Sequence, residues 1–148
     1  MIFRHTRRTV PEQVFIVVRA NVNFGKDDTV ACETATGLSD GLVAKAPVAG
    51  ALYAFMGLAD TQISSGYYGL VQVYGGRITS RVFTTNTSQN TGAPLVPVGG
   101  QAYMQSTASS TTSDANVTQQ PIFACLMETL ASTSVSATAS ARLFIRAM

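Results

Sequence analysis

A chain of 148 residues with a 46% hydrophobic share is long enough for one domain with a real core, too short for two comfortable ones, and too apolar to be disordered. Its formal net charge of +2 lacks the broad Lys and Arg excess of a nucleic-acid-binding domain, so no nucleic-acid partner is expected. Only 12% of the residues are charged, about half the share in an ordinary soluble domain, and Ser, Thr, Asn and Gln supply the polar surface instead. Such a surface points to a molecule held against partners.

The first eleven residues read as an arm (1–11) preceding a single β-domain (12–148). Arg4, Arg7 and Arg8 stand with His5 before the first acidic group, Glu12, and Pro11 closes the segment. From Glu12 to Asn23 β-branched and aromatic residues are dense, and the run ends in the turn-like Gly25-Lys26-Asp27-Asp28. Val14–Val18, the longest apolar run near the start, has five residues, short of the ~7–15 of a secretion signal core and the ~20 of a spanning helix. The expectation is a protein made and kept in a cytoplasm, without a membrane partner.

Short apolar stretches then recur at Thr29–Thr34, Gly41–Pro47, Ala51–Leu58, Leu70–Tyr74, Arg77–Thr84, Pro94–Val98, Ile122–Thr129 and Ala141–Met148. Turn residues separate them, among them Ser64-Ser65-Gly66, Gly75-Gly76, Asn90-Thr91-Gly92 and Gly99-Gly100. Many short strands without a long helical period predict an all-β fold, a small barrel or sandwich. The best helical candidate, Cys125–Ser132, amounts to a turn or two. Gln105–Gln120 is almost wholly Ser, Thr, Ala, Asn and Gln, and reads as a long exposed loop or an edge hairpin suited to surface contact. A faint internal echo links Leu52–Met56 with Ile122–Leu126. Each is followed by a second apolar strand, Leu70–Tyr74 or Leu143–Ile145, as two similar strand–turn–strand units of one barrel would be.

Chemistry is hard to place. The one histidine, His5, lies in the arm, so an acyl-transfer triad has no base. No nucleophile elbow or phosphate-binding glycine loop occurs. Asp27 and Asp28 read as turn residues in water. Cys32 and Cys125 sit far apart in apolar strand contexts and read as buried free thiols, with no Cys/His cluster for a metal. The expectation is a protein that is not an enzyme and takes no cofactor. Gly66-Tyr67-Tyr68-Gly69 reads as a tight strand entry, one ring covering the barrel end and the other half exposed. Stacking on sugars or bases is the alternative.

Ala51–Asp60, followed by Gln62-Ile63-Ser64-Ser65-Gly66-Tyr67-Tyr68-Gly69-Leu70-Val71-Gln72-Val73-Tyr74-Gly75, resembles tailed-bacteriophage head proteins of the decoration or cement type. Thr91–Pro97, Gly99-Gly100 and the closing run from Ile122 are similar to the continuation of that pattern, which spans roughly residues 29–148. The arm and the first strand fall outside it. The resemblance implies a compact β-barrel or sandwich, a homo-oligomer and often a trimer, that binds the major capsid protein on the outer surface of a phage head. It implies localisation on the virion, after assembly in the host cytoplasm. An arm seeking carboxylates or phosphates through Arg4, Arg7 and Arg8, with Phe3 as an apolar anchor, would serve partner binding. Either that arm or the first strand would add to a neighbour. Two alternatives stand beside this reading: another structural virion component (minor head, vertex or tail protein), and a glycan-binding β-module using Tyr67, Tyr68 and the 105–120 loop.

Overall fold

The computed structural model describes residues 12–33, 42–84, 88–106, 122–131 and 137–147. The basic arm, with Phe3, Arg4, Arg7 and Arg8, and most of the Gln105–Gln120 stretch lie outside the described residues. Among those described, the chain is all β, as its short apolar runs predict. The strands are β1 (Val14–Ala20), β2 (Thr29–Cys32), β3 (Val43–Lys45), β4 (Phe55–Ala59), β5 (Tyr68–Arg77), β6 (Arg81–Thr84), β7 (Pro94–Pro97), β8 (Met104–Ser106), β9 (Ala124–Leu126), β10 (Ala137–Ser140) and β11 (Leu143–Arg146). A 3₁₀ helix occupies Ala49–Ala54.

The first five strands close on themselves in the order β1-β3-β2-β4-β5, with β5 returning to pair antiparallel with β1. Only β1 and β3 run parallel in this ring. Alternation along β1 explains its place. Val18 and Ala20 point into the ring beside Val30, Ala59, Val71 and Val73, while Phe15, Val17 and Arg19 point out.

The remaining strands repeat this topology. β6 and β8 are parallel, and β7 pairs antiparallel with both β8 and β9. β9 then pairs with β11, while β10 returns to β6. Since β10 and β11 are separated only by Ala141 and Arg142, they act as one interrupted strand that closes a second ring. The repeat extends to individual hydrogen bonds. The reciprocal bridge Phe24–Ile63 has its counterpart at Gln89–Leu130, and Ala59 N–H to Asp28 C=O has its counterpart at Leu126 N–H to Ala93 C=O. Asp60 N–H to Leu70 C=O matches Met127 N–H to Arg142 C=O. The halves align with shifts of 65 residues at β2/β7, 67 at β4/β9 and 72 at β5/β11. Each ring has its own apolar cluster, and Phe55 and Leu58 of the first half reach into the second, with the Phe55 and Phe123 rings 5.0 Å apart.

β5 joins the two. Its C-terminal part leaves β1 and pairs antiparallel with β11, Tyr74 opposite Arg146 and Gly75 opposite Ile145. Under the repeat Tyr74 corresponds to Arg146, so this pair maps onto itself. The junction is therefore a local quasi-twofold. Gly75 has φ +103°, and a side chain there would overlap the Glu12 carbonyl oxygen. The Gly75-Gly76 pair is thus a bend inside a continuous strand and not the turn its composition predicts.

Other expectations shift for local reasons. Ala51–Ala54 belongs to the 3₁₀ helix, so only the second part of the predicted strand Ala51–Leu58 is extended. Arg77–Thr84 divides, because Arg77 ends β5 and a bend at 78–80 precedes β6. The best helical candidate, Cys125–Ser132, is not helical over its described residues, since Cys125 and Leu126 complete β9 between β7 and β11 within the strand read at Ile122–Thr129. β8 and β10 fall outside the predicted strands. Apart from the buried Met104 their residues are small or polar, and their pairing with β6 and β7 follows the repeat.

Candidate functional site

The most elaborate polar cluster surrounds Arg77, whose side chain is nearly buried. Nε donates to Asp27 Oδ1 at 2.6 Å and to the Thr79 carbonyl at 3.2 Å. Nη1 donates to Gln72 Oε1 at 3.0 Å and Asp60 Oδ1 at 3.4 Å, and Nη2 to the Ala59 carbonyl at 2.9 Å and the Asp60 carbonyl at 3.5 Å. Gln72, itself buried, donates to the carbonyls of Tyr74 and Gly76. A cleft of about 230 Å³ opens beside this cluster, lined in part by Lys26, Asp60 and Ile78. Every N–H of the guanidinium is already directed at a protein oxygen, so it has nothing left to offer an anion. The cluster ties the 25–28 turn, the end of β4 and the end of β5 together. Its role is structural.

Among the described residues no three His, Cys, Asp or Glu side chains come together as a metal site. Cys32 and Cys125 are both free and only partly buried, less enclosed than their apolar contexts suggest. No described helix is long and apolar enough to cross a membrane.

The tyrosine turn departs from its sequence reading. The Asn23 side chain accepts from Ser65 N–H, and Ser65 Oγ donates to the Asn21 carbonyl. Gly69 packs against Ile63 so closely that a Cβ would overlap its side chain. These contacts fix the entry to β5, yet neither ring covers the barrel end: Tyr67 is 70% exposed and Tyr68 65%.

Tyr68 continues into an outward-facing row. In the β1–β5 register Arg19 lies opposite Tyr68, Val17 opposite Leu70, and Phe15 opposite Gln72. Side chains opposite one another across antiparallel strands share a face. Phe15, Val17, Tyr68 and Leu70 are all exposed there, Val17 to 59%. Hydrophobicity alone did not separate these outward apolar residues from inward ones such as Val18 and Val71; only the register does.

The surface charges are mostly paired. Lys45–Glu33, Arg81–Asp28 and Arg142–Glu128 form ion pairs at 2.7, 3.1 and 3.1 Å. The Arg142 backbone N–H and then its guanidinium hold the Glu128 carboxyl below the usual carboxylate range. Among the described residues, Glu12, Arg19, Lys26 and Arg146 stand outside ion pairs. β1 pairs with β5 along Val14–Arg19 and with β3 at Arg19 and Ala20.

No protein-family model matches the chain, and neither does any curated protein. Among solved structures it is similar to the N base of the head fiber protein gp8.5 of bacteriophage phi29. The identity is 14%, the TM-score 0.52, and the match covers 92% of this chain and 96% of that one. At this identity the likeness is one of fold.

Proposed function

We propose that the chain is a non-catalytic structural protein of a phage virion, a subunit that attaches to the outer surface of the head and reinforces its lattice. The observation that carries this reading is the extent of the fold likeness. Both chains are covered almost end to end, so the doubled arrangement as a whole is shared with a protein whose own description places it in a phage head fiber. The low charge, the saturated Arg77 cluster and the closed rings fit a part that works by contact. In this reading the major capsid protein is the partner, self-association accompanies binding, and the arm with Phe3, Arg4, Arg7 and Arg8 supplies additional contacts. The test mixes the purified chain with heads of its own phage assembled without it, and counts bound copies after sedimentation. Saturable binding at a fixed copy number per head is the expected result; no binding overturns it.

A second reading rests on Tyr53, Tyr67 and Tyr68, which are exposed to between 65% and 70%. Open tyrosines of this kind stack on sugar rings, so a glycan-binding module would use them. A glycan panel separates the two, since a head-binding subunit is expected to bind none tightly.

A further inference from the structure

The internal repeat allows one half of the molecule to serve as a control for the other. In the first ring the outward row of β1 and β5 is Phe15, Val17, Arg19, Tyr68 and Leu70. Under the shift that aligns β5 with β10 and β11, Leu70 corresponds to Arg142 and Tyr68 to Ser140. Ser140 lies opposite Arg81, and Thr138 opposite Phe83, whose ring stacks on Tyr103 at 5.1 Å. Arg142 and Arg81 are both held in ion pairs. At the positions of Tyr68 and Leu70 the same architecture therefore stands with a serine and a charge-paired arginine in the second ring, beside the Phe83–Tyr103 pair. Nothing in the fold demands apolar residues at the corresponding positions of the first.

The exposed portions of Phe15, Val17, Tyr68 and Leu70 amount to on the order of 400 Å². That is about half of what one side of a stable protein interface covers, enough for its apolar centre. Of the described pairings, β5 runs along Val14–Arg19 while β3 meets β1 only at Arg19 and Ala20. The exposed row stands on the face of the β1–β5 pair, so docking through these side chains uses the face rather than a strand edge.

Charge identifies the kind of partner. Arg19 stands in the row without an ion pair, and Lys26 and Arg146 are unpaired elsewhere. Five of the six described acidic residues are already engaged with cations, leaving Glu12, before the far end of β1 from Arg19. A second copy of this chain laid with Arg19 against its own counterpart would bring like charges together, which opposes association.

We propose that the outer β1–β5 face, Phe15, Val17, Arg19, Tyr68 and Leu70, docks on a protein other than this chain, one that presents apolar side chains around a carboxylate. This rests on the functional reading above, which makes that protein the subunit of the head shell.

The experiment uses the full chain and purified heads assembled without it. Two variants alter the face, Val17→Thr/Tyr68→Ser/Leu70→Gln and Arg19→Glu. Ile78→Ser, at a site 77% exposed in the bend after β5, serves as control. Thermal melting establishes that each is folded, and light scattering gives its mass in solution. The triple variant is expected to bind heads roughly 30-fold or more weakly, Arg19→Glu roughly tenfold more weakly, and Ile78→Ser as the parent does. A folded triple variant that binds like the parent overturns the assignment of this face while leaving the functional reading in place. A parent chain that ignores heads overturns both. A parent oligomer that the triple variant dissolves, with head binding retained, assigns the face to a second copy and overturns the choice of partner.

Discussion

Replacing Arg77 by Met tests whether the polar cluster at the end of β5 holds the first ring together. Methionine retains most of the aliphatic length but removes all the donors. Asp27 Oδ1, with its side chain only 13% exposed, loses a partner at 2.6 Å, and Gln72 Oε1 and the Ala59 carbonyl lose theirs at 3.0 and 2.9 Å. Leaving a largely buried carboxylate without its cation costs about 3–5 kcal/mol. In a chain of this size that lowers Tm by roughly 6–20 °C. The partial exposure of Asp27 favours the lower part of both ranges. Asp27→Asn alone is expected to cost less, because the guanidinium keeps the Asp60 and Gln72 side chains and three carbonyls. In the double variant the stranded charge is gone, so its loss is expected to be smaller than the sum of the two single losses. Urea unfolding of the parent and the three variants, read as midpoint and slope, measures each value. A loss below about 1 kcal/mol for Arg77→Met, or simple additivity in the cycle, would refute the reasoning, since either means the two groups do not depend on one another.

Gly75→Ala is expected to cost roughly 2–4 kcal/mol, because its φ is +103° and the new methyl overlaps backbone at Glu12. Gly50→Ala, with open space around it, is expected to stay within about 0.5 kcal/mol in the same urea assay. Glu128 has a depressed folded-state pKa, so its stabilisation is complete above the ordinary value of 4.5 and is lost as pH falls below it through the folded pKa. Glu128→Gln should therefore flatten the acid limb of a Tm-against-pH curve below that value. A flattening seen only near neutrality would contradict the pairing with Arg142. With both thiols free, reducing agent is expected to leave Tm unchanged, and a thiol titration of the unfolded, unreduced chain should count both cysteines. One missing pair of thiols would reveal a disulfide.

The sequence revealed the fold class because its signals are local. Val14–Ala20 and Tyr68–Tyr74 carry β-branched and aromatic residues whatever their neighbours, and most predicted strands lie where apolar runs meet Gly, Asn or Asp turns. The doubling was legible only as a trace. The likeness of Leu52–Met56 to Ile122–Leu126 falls in part on β4 and β9, and the apolar strands noted after each, β5 and β11, are the strands they pair with. Its spacing of 70 residues differs from the 67 that align the strands, and the two units lie in two rings, not in one barrel. Similar side chains recur through burial at several registers, whereas backbone hydrogen bonds fix one. β8 and β10 were hidden for a related reason. Ala137–Ser140 gains its strand character from β6, a partner that no local window contains, and Met104-Gln105-Ser106 gains it from β6 together with β7.

The outward row on β1 and β5 was hidden differently. Val17 and Val18 are the same residue type at adjacent positions, one 59% exposed and the other 1%. Composition treats them alike, and even the alternation of a strand does not say which phase faces solvent when both phases are apolar. The second ring breaks this tie. Its corresponding positions carry Ser140 and Arg142, which shows that the fold is satisfied by polar residues there. At these matched positions a chain built twice on one plan keeps apolar side chains in the first ring and polar ones in the second. That difference at matched positions is what distinguishes the β1–β5 face. Under the proposed docking this face would also set orientation, with the first ring turned toward the partner.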